Sequence, residues 1–175
     1  LTDSTQSLNE NKLEQRISMF LNLIKTSKTY GHVWLTDTNP SEIIEKTLDL
    51  KLIKAQLVGN SRIFNPTNDE TSILSFYKNN ISHVFILYSA ICESLRYVDE
   101  LSNEETSRLV RLVFPFLKRD YNLLESEENL DALIEQASNT LITSGLIKLS
   151  QSGNLTKPSA HSSKHEDFVA LCNIC

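Results

Sequence analysis

One histidine and one aspartate stand at a spacing that could support acyl transfer. His32 and Asp37 form an HxxxxD pattern within the stretch HVWLTD. A histidine in this pattern can act as the general base toward a hydroxyl that attacks a thioester, while the aspartate orients the imidazole. With four histidines and eight aspartates in 175 residues, chance gives about 0.2 such pairs, and no phosphate-binding block follows. The alternative is coincidence, with Trp34 and Leu35 packed in a turn or short strand.

Two cysteines and two histidines near the end of the chain have spacings seen at zinc sites. Cys172 and Cys175 form a C-x-x-C pair, and His161 and His165 are the other pair in reach. A structural zinc site needs four ligands in a tetrahedral arrangement, and two loosely spaced pairs are weak evidence for one. With Cys92 inside an apolar stretch, the three cysteines give no even disulfide framework, which indicates a reducing, cytosolic setting. We therefore predict no metal and no cofactor.

A small basic group lies in the second half of the chain. Arg111, Lys118 and Arg119 could form an anion site, or they could be a solvated face beside acidic helices. The chain has only four glycines and contains no glycine-rich phosphate loop, nucleophile elbow or nucleotide fingerprint. The sequence thus offers no second catalytic constellation.

The charge balance excludes several classes of function. The net charge is −5, and residues 97–135 hold ten acids against four bases. Nucleic acids and anionic membranes bind basic faces, so we predict no nucleic-acid partner.

The longest apolar run, residues 84–92, is too short to cross a bilayer, and residues 1–15 lack the apolar core of a signal peptide. Because the first residue is leucine, we expect a fragment or excised region of a longer protein.

The elements that must position these side chains are organised around one long helix, predicted over about 70–97. Residues 84–91 are apolar almost all round, which indicates a buried body. Lys78, Asn79, Asn80 and His83 make its start polar. His83 could be a base or ligand, or a hydrogen-bonded, partly buried side chain, and the asparagine amides could satisfy a neighbouring loop. The predicted apolar stripe contains Leu74, Tyr77, Ile81, Val84, Tyr88, Ile91 and Leu95.

Local signals predict shorter helices on both sides of the central one. Residues 13–24 form an amphipathic helix, and Asn39 before Pro40 caps a short helix that runs to about residue 50. Ser102 and Glu105 form a capping box for a helix that should kink or restart at Pro115. A further helix is predicted to be capped by Ser126 and closed by Gly145, and a last helix follows Pro158.

Two β-hairpins complete the predicted elements. The first spans residues 52–64 around Gly59-Asn60, and the second spans about 146–157 around Gln151-Ser152-Gly153. The predicted fold class is mainly α with two short hairpins, a helical bundle with winged-helix-like elements. Residues 1–11 read as a polar tail, 12–97 as a helical and hairpin part, and 98–175 as a C-terminal helical part. Together they are predicted to form one compact region.

Three ordered blocks point to a known family. FYKNNISHVFIL, LVRLVFPFLKRDY and LITSGLI resemble the C-terminal region of bacterial membrane-associated glycerol-3-phosphate 1-O-acyltransferases. That family carries YYRNN-x-x-H, Leu-Tyr-Pro-x-Leu-Lys and Gln-Gly-Leu-Ile blocks, and order and spacing agree over about residues 41–161. Phe76 and Lys78 are conservative departures, and Tyr88 stands where the family tends to have proline. The resemblance marks six family-signature residues and implies that their role is structural rather than catalytic. They are Tyr77, Asn79, Asn80, His83, Pro115 and Lys118.

The resemblance implies what the parent protein does. In this family the catalytic HxxxxD block lies several hundred residues before the YYRNN-like block, so His32 is not the family's general base. The parent would transfer a fatty acyl group from acyl-CoA or acyl carrier protein to the sn-1 hydroxyl of glycerol 3-phosphate, without a metal. It would act in phospholipid synthesis as a peripheral protein at the cytoplasmic face of the bacterial inner membrane. This chain would be a non-catalytic region that packs on the catalytic domain of the same polypeptide.

Two alternatives remain open from the sequence. One is a non-catalytic, winged-helix-like protein-interaction domain. The other is a self-contained acyltransferase site built on His32 and Asp37, which predicts thioester cleavage by this chain alone. If the central helix docks on the catalytic domain, Ile81→Asp and Phe85→Asp should both cost activity through misfolding.

Overall fold

The computed structural model describes residues 7–26, 37–66 and 71–174. Within these ranges six α-helices account for most of the chain, and turns and short strands join them. The helices are α1 Glu10–Thr26, α2 Pro40–Asp49, α3 Thr71–Leu95, α4 Asn103–Tyr121, α5 Leu130–Thr143 and α6 His165–Cys172. The strands are β1 Leu8–Asn9, β2 Ile53–Val58, β3 Ser61–Pro66, β4 Glu100–Leu101, β5 Lys148–Leu149 and β6 Leu155–Thr156. The predicted fold class, mainly α with two hairpins, is confirmed.

The chain divides into two compact units. Of the described residues, unit 1 holds 7–25, 37–66 and 71–80, and unit 2 holds 81–174 together with Thr26. The division falls inside α3, between Asn80 and Ile81. The parts 12–97 and 98–175 that the sequence suggests stay a prediction.

The sheet of unit 1 has the strand order β1-β3-β2, with both pairs antiparallel. Gly59, at φ +62°, makes the predicted hairpin turn, because a left-handed residue there lets Val58 pair with Ser61. Strand β1 adds Leu8 opposite the buried Phe64. The prediction of a polar tail up to residue 11 is therefore wrong for residues 8–11, since two of them pair in the sheet and helix α1 begins at Glu10.

Side-chain caps begin helices in both units, at Asn9, which the sequence pattern did not predict, and at Asn39 and Ser102, which it did. The backbone N–H of Lys12 donates to Asn9 Oδ1 at 2.9 Å, and that of Glu42 donates to Asn39 Oδ1 at 2.8 Å. At the start of α4, the Ser102 and Glu105 side chains each accept from the other residue's backbone N–H, which is the predicted capping box. Helix α4 runs as one element from Asn103 to Tyr121, so it does not restart at Pro115.

The sheet of unit 2 repeats the pattern, with the strand order β4-β6-β5 and antiparallel pairs. Gly145, at φ +73°, ends α5 as predicted, and its N–H donates to Ile142 O at 3.0 Å. The predicted cap at Ser126 is wrong, because its side chain makes no capping bond and a 3₁₀ turn, Glu127–Asn129, precedes α5. The winged-helix-like character of this arrangement stays a prediction.

The core of unit 2 is built on the carboxy-terminal half of α3. All nine residues from Val84 to Cys92 are buried, as the apolar run predicts. Ser89 Oγ lies 3.4 Å from the carbonyl oxygen of Cys172, which joins α3 to the end of α6. The Tyr121 hydroxyl donates to Ile174 O at 3.2 Å and joins the end of α4 to the same segment. Other fully buried side chains here are Leu95, Leu130, Leu141, Leu146, Ile147, Leu155, Phe168 and Leu171.

Candidate functional site

The predicted site residues near residue 80 lie on the amino-terminal half of α3, and one side of this half faces solvent. Phe76 is 62% exposed and Tyr77 56% exposed, and their rings meet edge to face at 5.9 Å. Ile73 and Asn80, three residues before Phe76 and three after Tyr77, are also exposed and share this side of the helix. We call Ile73, Phe76, Tyr77 and Asn80 the α3 face.

The opposite side of the same half points inward. Leu74 and Lys78 are half-buried and Ser82 is buried, and their spacing of four residues places them on one side of the helix. Burial lowers the pKa of the Lys78 ammonium group, because a partly desolvated charge is disfavoured. The polar start of α3 thus combines an inward lysine with an outward aromatic pair.

The predicted apolar stripe of α3 is correct in its second half and wrong in its first. Its spacing predicts Tyr77 and Ile81 in the core, yet both are exposed, Ile81 by 46%. The later members of the stripe, Val84, Tyr88, Ile91 and Leu95, are buried. The spacing of apolar residues predicts that a segment is helical, but it does not show which side of the helix the neighbouring elements cover. The expectation that Ile81→Asp would unfold the protein is therefore weakened, while Phe85, at 5% exposed, keeps its buried place.

Asn79 and His83 stand four residues apart and so share one side of α3. Asn79 is exposed, whereas His83 is half-buried next to the fully packed body of the helix. This placement suits a hydrogen-bonding histidine at the edge of the core.

The remaining signature residues lie on α4. Pro115 is exposed, and the helix passes through it without a break. Lys118 is half-buried, and its carbonyl oxygen accepts the N–H groups of Asn122 and Leu123 where the helix ends. Asn122 takes the left-handed conformation at φ 50°, which lets the chain turn away from the helix. Lys118 thus contributes its backbone to the end of α4.

Two cations of the basic group are already paired with carboxylates. Arg111 forms two hydrogen bonds with Asp131 on α5, and Arg119 Nε donates to Asp120 at 2.8 Å. These bonds raise the pKa of both guanidinium groups. Because their charge is balanced locally, the arrangement favours a solvated face over an anion site.

The histidine–aspartate pattern can be placed only in part. His32, Trp34 and Leu35 lie outside the described residues, and Asp37 is exposed. The HxxxxD site of His32 and Asp37 therefore stays a prediction.

The cysteine and histidine pairs give no metal centre in the part of the chain that the structure describes. No group of three or more possible ligands from His, Cys, Asp or Glu occurs there. Cys172 is buried, and Cys175 lies outside the described residues. His161 is exposed, whereas a ring nitrogen of His165 lies 3.3 Å from the carbonyl oxygen of Pro158. Across residues 7–26, 37–66 and 71–174, no helix is long and apolar enough to cross a membrane.

Comparison with known proteins decides the family. A family model described as the glycerol-3-phosphate acyltransferase C-terminal region matches residues 1–175. The chain belongs to this family. The resemblance found in the three sequence blocks is thereby confirmed, and so is the assignment to a C-terminal region.

Relatives within the family are much longer than this chain. A glycerol-3-phosphate acyltransferase of Pseudomonas paraeruginosa is 25% identical over 171 residues, which cover 98% of this chain and 20% of that protein. A protein of the same name from Shewanella loihica is 25% identical over 147 residues, or 84% of this chain and 18% of the relative. The chain thus spans about a fifth of the length of these relatives. No solved structure matches the chain.

Sequence reasoning missed one surface on α4. Leu109, Leu112, Val113 and Phe116 are 42%, 71%, 40% and 60% exposed. The capping signals predict this helix but not which of its sides is covered, and the buried side is formed by Thr106, Val110 and Phe114. The sequence did contain a signal for this surface. Helix α4 carries two apolar stripes, whereas a helix that packs on one side needs a single apolar stripe.

Proposed function

We propose that this chain is the C-terminal, non-catalytic region of an enzyme that acylates glycerol 3-phosphate. The proposed enzyme transfers a fatty acyl group from acyl-CoA or acyl carrier protein to the sn-1 hydroxyl. The observation that carries the proposal is the family match over residues 1–175, combined with relatives that are about five times longer. The general base is assigned to the remaining part of the longer polypeptide.

The partner of the region is the catalytic part of the same polypeptide. The proposed place of action is the cytoplasmic face of the bacterial inner membrane, where the protein is attached peripherally. The exposed α3 face supports contact with another part of the polypeptide, because an aromatic pair at a solvent surface suits a protein interface.

The signature residues take structural and contact roles in this proposal. His83 and Lys118 are half-buried, His83 in the middle of α3 and Lys118 in the last turn of α4, and both are assigned structural roles. Pro115 fixes the backbone within α4. Tyr77, Asn79 and Asn80 are exposed and are assigned to contact with the catalytic part. For each of these residues, a substitution is expected to lower the acyl-transfer activity without lowering the affinity for the substrates.

The experiment compares three proteins for acyl transfer from acyl-CoA to glycerol 3-phosphate. They are the longer polypeptide that contains this chain, the 175-residue chain alone, and the longer polypeptide with His32→Ala. We expect activity in the first and third proteins and none in the second. Activity of the chain alone, together with loss of activity in the longer polypeptide with His32→Ala, would replace the proposal with the self-contained site of His32 and Asp37.

A non-catalytic interaction domain is the second candidate. The observation in its favour is that each unit runs through a strand, two helices and a hairpin, and that each sheet places its first strand beside its third. It predicts that the longer polypeptide lacks acyl-transfer activity while the chain still binds a protein partner.

A further inference from the structure

The two units share one order of elements. Each runs through a short strand, two helices and two hairpin strands, and each sheet places the first strand next to the third. The short strands begin this correspondence, because Leu8 pairs with the buried Phe64, and Leu101 pairs with the buried Leu155. In both units the residue Asn9 or Ser102, at the end of this strand or just after it, caps the helix that follows.

The turn that leaves the second helix is also the same in both units. Lys51 in unit 1 and Gly145 in unit 2 have left-handed φ values of 58° and 73°, and Leu-Ile-Lys follows each of them. The next backbone N–H donates to the carbonyl five residues earlier, from Leu52 to Thr47 at 3.2 Å and from Leu146 to Leu141 at 3.0 Å. The two units can therefore be compared position by position.

The first helices, α1 and α4, then differ in one respect. Met19 and Leu23 stand as far from the cap Asn9 as Leu112 and Phe116 stand from the cap Ser102. Met19 is 6% exposed and Leu23 is fully buried, whereas Leu112 and Phe116 are 71% and 60% exposed. The same side of the same helix is thus covered in unit 1 and open in unit 2.

We propose that Leu109, Leu112, Val113 and Phe116, the α4 face, form a docking surface for the preceding part of the longer polypeptide. This inference rests on the proposed function, because that function supplies the longer polypeptide. The four side chains follow the spacing i, i+3, i+4 and i+7 and so form one stripe, which adjoins the buried side of α4. Contiguous exposed apolar side chains with a polar rim mark interaction sites.

Two observations select a protein occupant. The relatives are about five times as long as this chain, so a large part of the polypeptide is available to cover the stripe. Charges of both signs flank the stripe, since Glu105 and Arg108 lie four residues before Leu109 and Leu112, and Asp120, four residues after Phe116, is paired with Arg119. A rim of both signs offers no basic face to an anionic lipid surface, whereas an apolar centre with a polar rim is the arrangement of a protein interface.

The test measures binding between the 175-residue chain and the preceding part of the polypeptide, produced as a separate protein. Leu112→Asp and Phe116→Asp each place a charge in the stripe and are expected to weaken binding roughly tenfold or more. Leu124→Asp is the matched control, because Leu124 is 96% exposed, lies in the same unit and is outside the stripe. It is expected to bind like the parent chain. Thermal unfolding of each variant checks that the fold is kept.

Each alternative outcome overturns the inference. Equal binding of Leu112→Asp, Phe116→Asp and the parent chain would remove the docking surface. Self-association of the chain that is lost in Leu112→Asp would make a second copy the occupant. Sedimentation of the chain with phosphatidylglycerol vesicles, lost in the same variant, would make a lipid surface the occupant.

Acyl transfer by the longer polypeptide separates this inference from the proposed function. Intact binding without acyl transfer would refute the proposed function and leave the docking surface standing. Acyl transfer with binding that is insensitive to both stripe variants would refute the docking surface alone.

Discussion

Arg111 and Asp131 join α4 to α5 through two side-chain hydrogen bonds. Arg111 Nε donates to Asp131 Oδ1 at 2.9 Å, and Nη2 donates to Oδ2. Ser107 Oγ, one turn earlier on α4, donates to the same Oδ1 at 2.7 Å. The two side chains thus link α4 to α5 at the surface of unit 2.

This pair makes the stability of unit 2 depend on pH. The hydrogen bonds from Arg111 and Ser107 lower the pKa of Asp131 to about 2, from an ordinary value of 3.8. Because the pKa of Asp131 is lower in the folded state than in the unfolded state, its ionised carboxylate stabilises the fold at pH values above about 4. This stabilisation is lost as the pH falls from about 4 toward 2. We expect Asp131→Asn to lower the melting temperature slightly at pH 7, because exposed ion pairs contribute little. The difference should vanish near pH 2, and an equal difference at both pH values would contradict the assignment.

Thr106 predicts a stabilising substitution. Its side chain is fully buried, and in the described part of the chain its hydroxyl has no hydrogen-bond partner. Thr106→Val removes a desolvated hydroxyl and keeps the shape, so we expect the free energy of unfolding to rise by about 1 kcal/mol.

Thr47→Val is the matched control for that measurement. The Thr47 hydroxyl donates to Ile43 O at 2.6 Å in α2, so its removal should lower the free energy of unfolding by about 1 kcal/mol. Both values come from urea titrations of the purified chain. A destabilising Thr106→Val would show that the hydroxyl has a partner after all.

The left-handed turn residues give a pair of opposite predictions. Gly145 has φ +73°, and a methyl group added at its Cα would meet open space, so Gly145→Ala costs backbone strain alone, about 1 kcal/mol. Lys51→Gly relieves the corresponding strain at φ 58° and is expected to raise the melting temperature slightly. The same thermal unfolding experiment measures both, and equal signs would argue against a shared turn.

Substitutions at two positions on α3 distinguish a buried core residue from an exposed residue. Phe85→Asp puts a charge into the core and is expected to cost several kcal/mol, enough to unfold the chain. Ile81→Asp replaces a side chain that is 46% exposed, so we expect the melting temperature to change little. Circular dichroism during heating measures this difference. If both variants unfold alike, Ile81 belongs to the core after all.

Much of the secondary structure follows from short-range signals. Asn39-Pro40, the Ser102–Glu105 capping box and Gly145 each satisfy or end backbone hydrogen bonds within a few residues, and all three are found where predicted. The hairpin at Gly59 is equally local. Ser126 failed as a cap because a 3₁₀ turn intervenes, and several polar residues nearby could have begun the helix.

The sequence by itself determined the helices, the hairpins and, through three ordered blocks, the family. Tertiary structure alone decided that β1 and β4 are strands, because two-residue strands such as Leu8–Asn9 have no periodicity and exist only through pairing with distant residues. It also decided which apolar sides are covered. Tyr77 and Leu112 have the spacing of core residues and yet face solvent, because burial depends on the elements packed against a helix and not on the helix itself.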